Sequence, residues 1–268
     1  MTQAADEDLD ELLAEIKMET SASPAYEYDP EHNVYFEDCV EGMRERLDDD
    51  SVDCVITDPP YGIEWDSPFS DRFNEIEGDD TMEWLEPAFA QLKRVMKPGT
   101  HFYLFTGWTP WGEVYATAEQ YGFKKLHQLI WVKSRSRSSG GSGSFRTHHE
   151  NILFGKMPAE NTRHISDSSN AWTVIDDGGL PIADDMNHPN QKPVSLIERL
   201  IEWSTDEGER IIDPFMGSGT TAVAAIQNDR EYVGFEVDAD NYRDVIERRI
   251  GEAKRQRDAG VNEVEADD

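Results

Sequence analysis

Basic residues are scarce in this chain. Nine lysines and sixteen arginines stand against 56 acids in 268 residues, for a formal net charge of −31. An excess of that size excludes ordinary long-range attraction to an anionic polymer at low salt. Two readings remain, an acidic disordered chain or a fold adapted to concentrated salt. Seven Trp and eleven Phe, set in short strand-like runs, argue against disorder and favour a halophilic protein. Cysteine is nearly absent. Cys39 and Cys54 cannot build a disulfide framework, and neither stands at a metal-ligand spacing. No apolar run approaches the ~20 residues of a membrane span, and the N-terminus has no signal-peptide core. A cytoplasmic location with no membrane partner is expected, and the length suits one α/β domain.

Residues 1–30 form an acidic leader in which Leu9, Leu12, Leu13 and Ile16 fall at helical spacing. That helix would lie on its own domain or meet a partner. Residues 31–250 read as a single catalytic domain, and 251–268 as a frayed helix end running into an acidic tail. Short apolar runs at Val34–Phe36, Val52–Thr57, Phe102–Thr106, Leu129–Val132, Ile152–Phe154, Arg210–Ile212 and Tyr232–Phe235 predict strands. Helical patterns intervene at Trp84–Val95, Gly112–Gln120, Val194–Trp203, Thr220–Asn228 and Asn241–Ile250. Alternation of this kind predicts an α/β fold with a mostly parallel sheet covered on both faces, whose ligands bind beyond the carboxyl ends of the strands.

Residues 121–187 depart from this pattern as an inserted basic loop and a short recognition region. Ser134–Ser144 is almost purely Ser, Gly and Arg, and residues 121–166 carry a net +6. Such an island in so acidic a chain is expected to meet a phosphate backbone, through Lys133, Arg135, Arg137, Arg146 and His149. A solvated loop that happens to be basic is the plainer alternative. His148-His149-Glu150 lacks metal-binding spacing, and no metal is expected.

Two strings at predicted strand ends carry chemistry. Asp58-Pro59-Pro60-Tyr61 presents a carboxylate, carbonyls fixed by proline and an aromatic ring. Those groups suit an exocyclic amine, whose two N–H groups need acceptors and whose base needs a stacking face. A base in duplex reaches such a pocket only by flipping out. The second string, Asp213-Pro214-Phe215-Met216-Gly217-Ser218-Gly219-Thr220, is a glycine turn between strand and helix, with Glu236 at the next strand's end placed to receive ribose hydroxyls. It lacks the Gly-Lys of triphosphate loops, and Ala222 stands where a dinucleotide fingerprint wants a third glycine, so S-adenosylmethionine fits better than NAD.

Carried by these strings, the chain resembles the circularly permuted β class of DNA amino-methyltransferases over residues 32–250. Phe36-Glu37-Asp38-Cys39, Met96-Lys97-Pro98-Gly99, His149-Glu150-Asn151-Ile152-Leu153 and His188-Pro189-Asn190-Gln191-Lys192-Pro193 resemble further family segments in the expected order. The resemblance implies a seven-stranded Rossmann-like methyltransferase sheet with one antiparallel strand. It also implies cofactor contacts from Asp38, Gln191, Lys192, Phe215, Gly217, Ser218, Gly219, Thr220 and Glu236, and catalytic use of Asp58, Pro59, Pro60 and Tyr61. Double-stranded DNA is the implied substrate, with a homodimer and a restriction endonuclease as further candidate partners. Asp in the first motif position leans toward adenine N6. Cytosine N4, an RNA substrate and a non-catalytic DNA-binding subunit are the alternatives. Trp65 and Phe69 would form a lid or simply pack.

Overall fold

The computed structural model describes residues 27–29, 33–60, 82–133, 145, 147–166, 168–176 and 191–266, with 27–29 and 260–266 as backbone only. The leader helix, the proposed lid residues Trp65 and Phe69 and the Ser/Gly/Arg loop lie outside the described residues.

Nine strands form one sheet: β1 (Glu27–Asp29), β2 (Val34–Phe36), β3 (Val52–Thr57), β4 (Met96–Thr106), β5 (Lys124–Val132), β6 (His149–Lys156), β7 (Val174–Asp176), β8 (Arg210–Asp213) and β9 (Glu231–Phe235). The helices are α1 (Cys39–Arg46), α2 (Leu85–Val95), α3 (Trp111–Gln120), α4 (Val194–Ser204), α5 (Thr220–Gln227) and α6 (Ala239–Ala266). Across the sheet the order is β1-β2-β9-β8-β3-β4-β6-β5-β7. Strands β2, β9, β8, β3 and β4 run parallel, β6 is antiparallel to both its neighbours, and β1 is antiparallel to β2.

Seven of these strands are the ones the apolar runs predict. The other two, β1 and β7, are three residues each and sit at the two outer edges. Unlike the equally short β2, whose residues are Val-Tyr-Phe, they read Glu-Tyr-Asp and Val-Ile-Asp, and no apolar run of three marks them. The sheet thus begins inside the acidic leader, and α6 continues well beyond residue 250.

Every residue of β3 is buried, as a central strand covered on both faces requires. Its side chains alternate between two cores. Cys54 and Ile56, with Tyr103, Phe105 and Ile211, pack under Leu196, Leu200, Ala222 and Ile246 of α4, α5 and α6. Val55, with Phe102, Leu104 and Ile212, packs under Met43, Phe89, Leu92 and Val114 of α1, α2 and α3. Helix α4 shows why such segments fold as they do. Buried Leu196, Ile197, Leu200 and Ile201 recur at three- and four-residue spacing, and Pro193 at the N-cap holds extended backbone at φ −60°.

One buried polar cluster lies at the amino edge of the sheet, away from both motif strings. His101 Nδ1 is 2.7 Å from Ser204 Oγ, which is 2.7 Å from the Tyr103 hydroxyl, and His101 Nε2 is 3.2 Å from the Arg163 carbonyl. Burial first, then the nearby Lys156 charge, pushes the His101 pKa down to about 4. The unfolded chain protonates this ring below its ordinary value of 6.5, whereas the fold keeps it neutral, so the unfolded state binds more protons in that window. Stability from His101 is therefore complete above that value and is lost as pH falls toward about 4. Asp213, with a raised pKa, acts with the opposite sign over an overlapping range. The clean readout is consequently the difference between the wild type and His101→Gln, in which Asp213 cancels. In urea unfolding, the wild type's stability relative to that variant should fall by up to about 3 kcal/mol between neutral and acid pH. A pH-independent difference would contradict a neutral buried imidazole.

Candidate active site

The two motif strings leave the sheet side by side. Cys54 and Val55 of β3 pair with Ile211 and Ile212 of β8, so parallel neighbours bring Asp58 and Asp213 to one carboxyl edge. Asp213 is the joint between them. Its Oδ1 accepts from Thr57 Oγ1 at 2.9 Å and from the Phe215 N–H at 3.1 Å, and its Oδ2 accepts from Thr221 Oγ1 at 2.6 Å. Burial raises its pKa to about 7, the three donors oppose that rise, and the Asp58 charge adds to it.

The glycine turn folds over this joint. Gly217 and Gly219 have φ of 51° and 79°, a left-handed backbone that other residues rarely take. Their roles differ. No atom would crowd a Cβ at Gly217, whereas a Cβ at Gly219 would stand 3.6 Å from Ile246 of α6. Gly219 is the N-cap of α5 and does not line the cleft, so of the expected cofactor contacts it serves the turn rather than a ligand. The Gly217 N–H donates to Glu236 Oε2 at 2.7 Å, and the Asp238 N–H donates to Oε1 at 2.9 Å. Burial pushes the Glu236 pKa up against those two N–H groups.

Both corners line one cleft of about 1060 Å³. Asp58, Pro59 and Pro60 are on one wall, Phe215, Gly217, Ser218, Thr220 and Glu236 on another, and Asp38, Gln191 and Lys192 complete it. Tyr61 lies outside the described residues. Asp38 already has structural duty: its Oδ1 caps α1 by accepting the N–H groups of Val40 and Glu41, each at 3.0 Å. Its second oxygen takes no part in that cap.

Lys192 lines the cleft, with its ammonium already engaged. Its ammonium is buried between two carboxylates, hydrogen-bonded to Asp58 Oδ2 and 3.2 Å from Glu150 Oε2, and it lies 5.1 Å from the centre of the Phe105 ring. Burial alone would lower its pKa, but the two carboxylates more than offset that and raise it. Glu150 pairs in turn with Lys133. Burial disfavours the Glu150 charge, the two lysines outweigh burial, and its pKa is lowered. Lys133 is thereby paired within the cleft wall, with 33% of its side chain still exposed. His149, at the start of β6, is exposed and lines the cleft.

The basic island does not form one surface. Lys124, Lys125 and Lys156 lie at the opposite edge of the sheet, with Arg163, which pairs with Asp206 and Glu209. Lys133 and Thr147, the described residues flanking Arg135, Arg137 and Arg146, both line the cleft. Those three arginines lie outside the described residues. Three further lining residues escape motif reading. Trp108 is 76% exposed on the turn after β4, and Val237 is 65% exposed directly after Glu236. Trp84 packs edge-on against Phe215 at 5.0 Å, with a buried indole N–H that has no acceptor among the described residues. An aromatic or apolar side chain immediately beyond a strand's carboxyl end is the signal that could have found the first two.

The Asp58–Lys192–Glu150 chain makes a testable claim. Lys192→Met leaves two carboxylates facing each other without their cation, and it should cost roughly 3 kcal/mol in urea unfolding. Glu150→Gln in the same protein should recover part of that loss. Equal stability of Lys192→Met and the wild type would show that the buried chain contributes nothing.

The profile of the N6/N4 DNA methylase family matches residues 52–247, which span both corners. The YubD protein of Escherichia coli (strain K12) is 32% identical over 225 residues, covering 84% of this chain and 92% of its own length. The M1.HpyAVI–SAM complex superposes with a TM-score of 0.64 at 22% identity, over 81% of this chain and 98% of that one. The PvuII cytosine-N4-specific DNA methyltransferase does so with a TM-score of 0.65 at 16% identity, over 84% and 91%. Resemblance at those identities speaks for the fold, and the family match speaks for the chemistry. The chain belongs to the N6/N4 DNA methylase family and is an S-adenosylmethionine-dependent DNA methyltransferase.

Proposed function

We propose that this enzyme methylates the exocyclic N6 of adenine in a base flipped out of duplex DNA, with the permuted element order of the β class. The observation that carries the reading is the Asp58 carboxylate, held by Lys192 at the mouth of a cleft it shares with the glycine turn. The reversed order has direct support: the strand ending in Asp58 precedes in sequence the strand that leads into the glycine turn.

The cleft suits S-adenosylmethionine by its donors and acceptors. Seven carboxylates line it, from Glu37, Asp38, Asp58, Glu150, Asp213, Glu236 and Asp238, against the two ammoniums of Lys133 and Lys192, an acidic excess complementary to a cationic ligand. Gly217 leaves open space before the turn, and the Trp84 indole N–H offers a donor in the wall. When bound, the cofactor supplies a methyl group on an electrophilic sulfonium. Glu236 retains lone pairs for ribose hydroxyls beyond the two N–H groups it accepts. Exposed Val237 offers the adenine ring an apolar face beside Asp38.

Around the acceptor, Asp58 takes one N–H of the target amine and a carbonyl of the Pro59-Pro60 turn takes the other. That leaves the nitrogen lone pair directed at the glycine turn. As the N–C bond forms, the methyl–sulfur bond would break and the sulfonium would leave as a neutral thioether, while the amine gives up one proton through the Asp58 side of the cleft. Thr147 and His149 line the cleft on the side where the DNA backbone would cross. Cytosine N4 is the second reading, favoured by the fold shared with a cytosine-N4-specific enzyme.

Digestion of methylated duplex to nucleosides with mass spectrometry should yield N6-methyl-2′-deoxyadenosine; N4-methyl-2′-deoxycytidine would replace the adenine reading with the cytosine one. Asp58→Ala should keep cofactor binding and lose at least about 100-fold in kcat, on the scale of one preorganised acceptor; turnover near wild type would remove Asp58 from the chemistry. With a net charge of −31, we also expect activity to survive in 2 M KCl, where the screening length falls below ~3 Å and repulsion between protein and DNA is suppressed. Full activity at low salt with collapse in 2 M KCl would contradict a salt-adapted enzyme.

A further inference from the structure

Helix α6 presents two side chains, one turn apart, to the back of the glycine turn: Ile246 against Gly219, and Arg249 beneath Ser218. Arg249 Nη1 donates to the Ser218 carbonyl at 2.6 Å, to Ser218 Oγ at 3.0 Å and to Thr220 Oγ1 at 3.0 Å. Two hydrogens thus serve three acceptors, all of them neutral. In a chain with 56 acidic residues, Arg249 forms no ion pair with a carboxylate among the described residues. Burial and the Arg248 charge lower its pKa to about 10, and the Glu252 charge, with no direct ion pair, offsets only part of that. A partly buried cation held by neutral acceptors is favoured by a further anion within reach.

The two hydroxyls it touches line the cleft. A hydroxyl oxygen that accepts from a guanidinium is polarised, so its own O–H becomes a stronger donor. It also has its lone pairs turned toward the arginine, which leaves the hydrogen free to point elsewhere. Ser218 Oγ and Thr220 Oγ1 share a long hydrogen bond of 3.4 Å, so one hydroxyl donates to the other at rest, and a stronger acceptor placed between them would draw both hydrogens in its place. The acceptor that completes this set is an anion in the cleft.

We propose that Arg249 is a positioning residue that turns the Ser218 and Thr220 hydroxyls into a carboxylate receptor for the amino-acid end of S-adenosylmethionine. The inference rests on the placement of the cofactor in the glycine turn. Arg249 acts through the two hydroxyls, from the side of the turn opposite the ligand, and it discriminates by the ligand's charge rather than by its nucleoside.

The test uses ligands that differ in that charged end. Affinities of the full-length wild type and of Arg249→Met would be measured by calorimetry for S-adenosylmethionine, S-adenosylhomocysteine and 5′-methylthioadenosine. S-adenosylhomocysteine keeps the amino-acid end on a neutral sulfur and should follow S-adenosylmethionine. Methylthioadenosine keeps the nucleoside and a neutral sulfur and lacks the carboxylate and ammonium. The expected result is a 10- to 100-fold loss for S-adenosylmethionine with methylthioadenosine affinity unchanged. Arg249→Lys, which keeps the charge without the fork, should fall between the two. A loss shared equally by all three ligands, or no loss at all, would reduce Arg249 to a structural prop. Should Arg249→Met fail to fold, Ser218→Ala carries the same expectation, because it removes one polarised hydroxyl and keeps the turn. If the wild type binds none of the ligands, it is the cofactor's placement that fails; if it binds them and the variants keep their ratios, only the role of Arg249 fails.

Discussion

The hydrogen bonds around Asp213 hold the active site in register. Its carboxyl takes the Thr57 hydroxyl from β3 with one oxygen and the Thr221 hydroxyl from α5 with the other. The strand carrying the acid–diproline corner, the strand leading into the glycine turn and the helix leaving that turn are thereby joined at one buried group. Without that joint, two parallel strands would still pair, but nothing would fix the distance between the group that receives the target amine and the turn that holds the cofactor. Burial and three donors pull the Asp213 pKa in opposite directions, so the joint is also sensitive to protonation.

A second layer of support reaches the same edge from behind. Lys192 anchors Asp58 from the segment before α4, Glu150 anchors Lys192 from β6, and Arg249 holds the glycine turn from α6. Each of these groups lies on an element packed into one of the two cores, so the flat apolar faces of the sheet transmit rigidity to a polar edge. The division of labour between the glycines follows the same logic. Gly217 opens space toward the cleft, while Gly219 supplies the left-handed backbone at the N-cap of α5, where a Cβ would make only ordinary contact with Ile246 of α6.

Much of this was legible in the sequence because the chemistry sits in contiguous strings at strand ends, where proline and glycine advertise the backbone they require. The parallel sheet, the pairing of the two corners and the family resemblance all followed from those strings. The Asp58–Lys192 contact did not, because its partners are 134 positions apart and no local pattern encodes such a pair. Helix α1 was missed for a different reason. It is one of the shorter helices, eight residues of mostly polar sequence, and close packing demands the glycine in its middle, because a Cβ on Gly42 would come within 2.3 Å of the Phe235 ring. The basic island misled in part. Charge counted along the chain ignores the reversal of β6, which carries Lys156 and Arg163 to the edge opposite the cleft.

The central claim is that one cleft holds the cofactor and the target amine against each other. The most direct measurement is an experimental structure with a non-transferring analogue such as sinefungin bound. The account predicts its ribose on Glu236 and its transfer end turned toward Asp58, inside the cleft lined by Pro59, Phe215 and Gly217. An analogue seated outside that cleft, or with its transfer end directed away from Asp58, would contradict it.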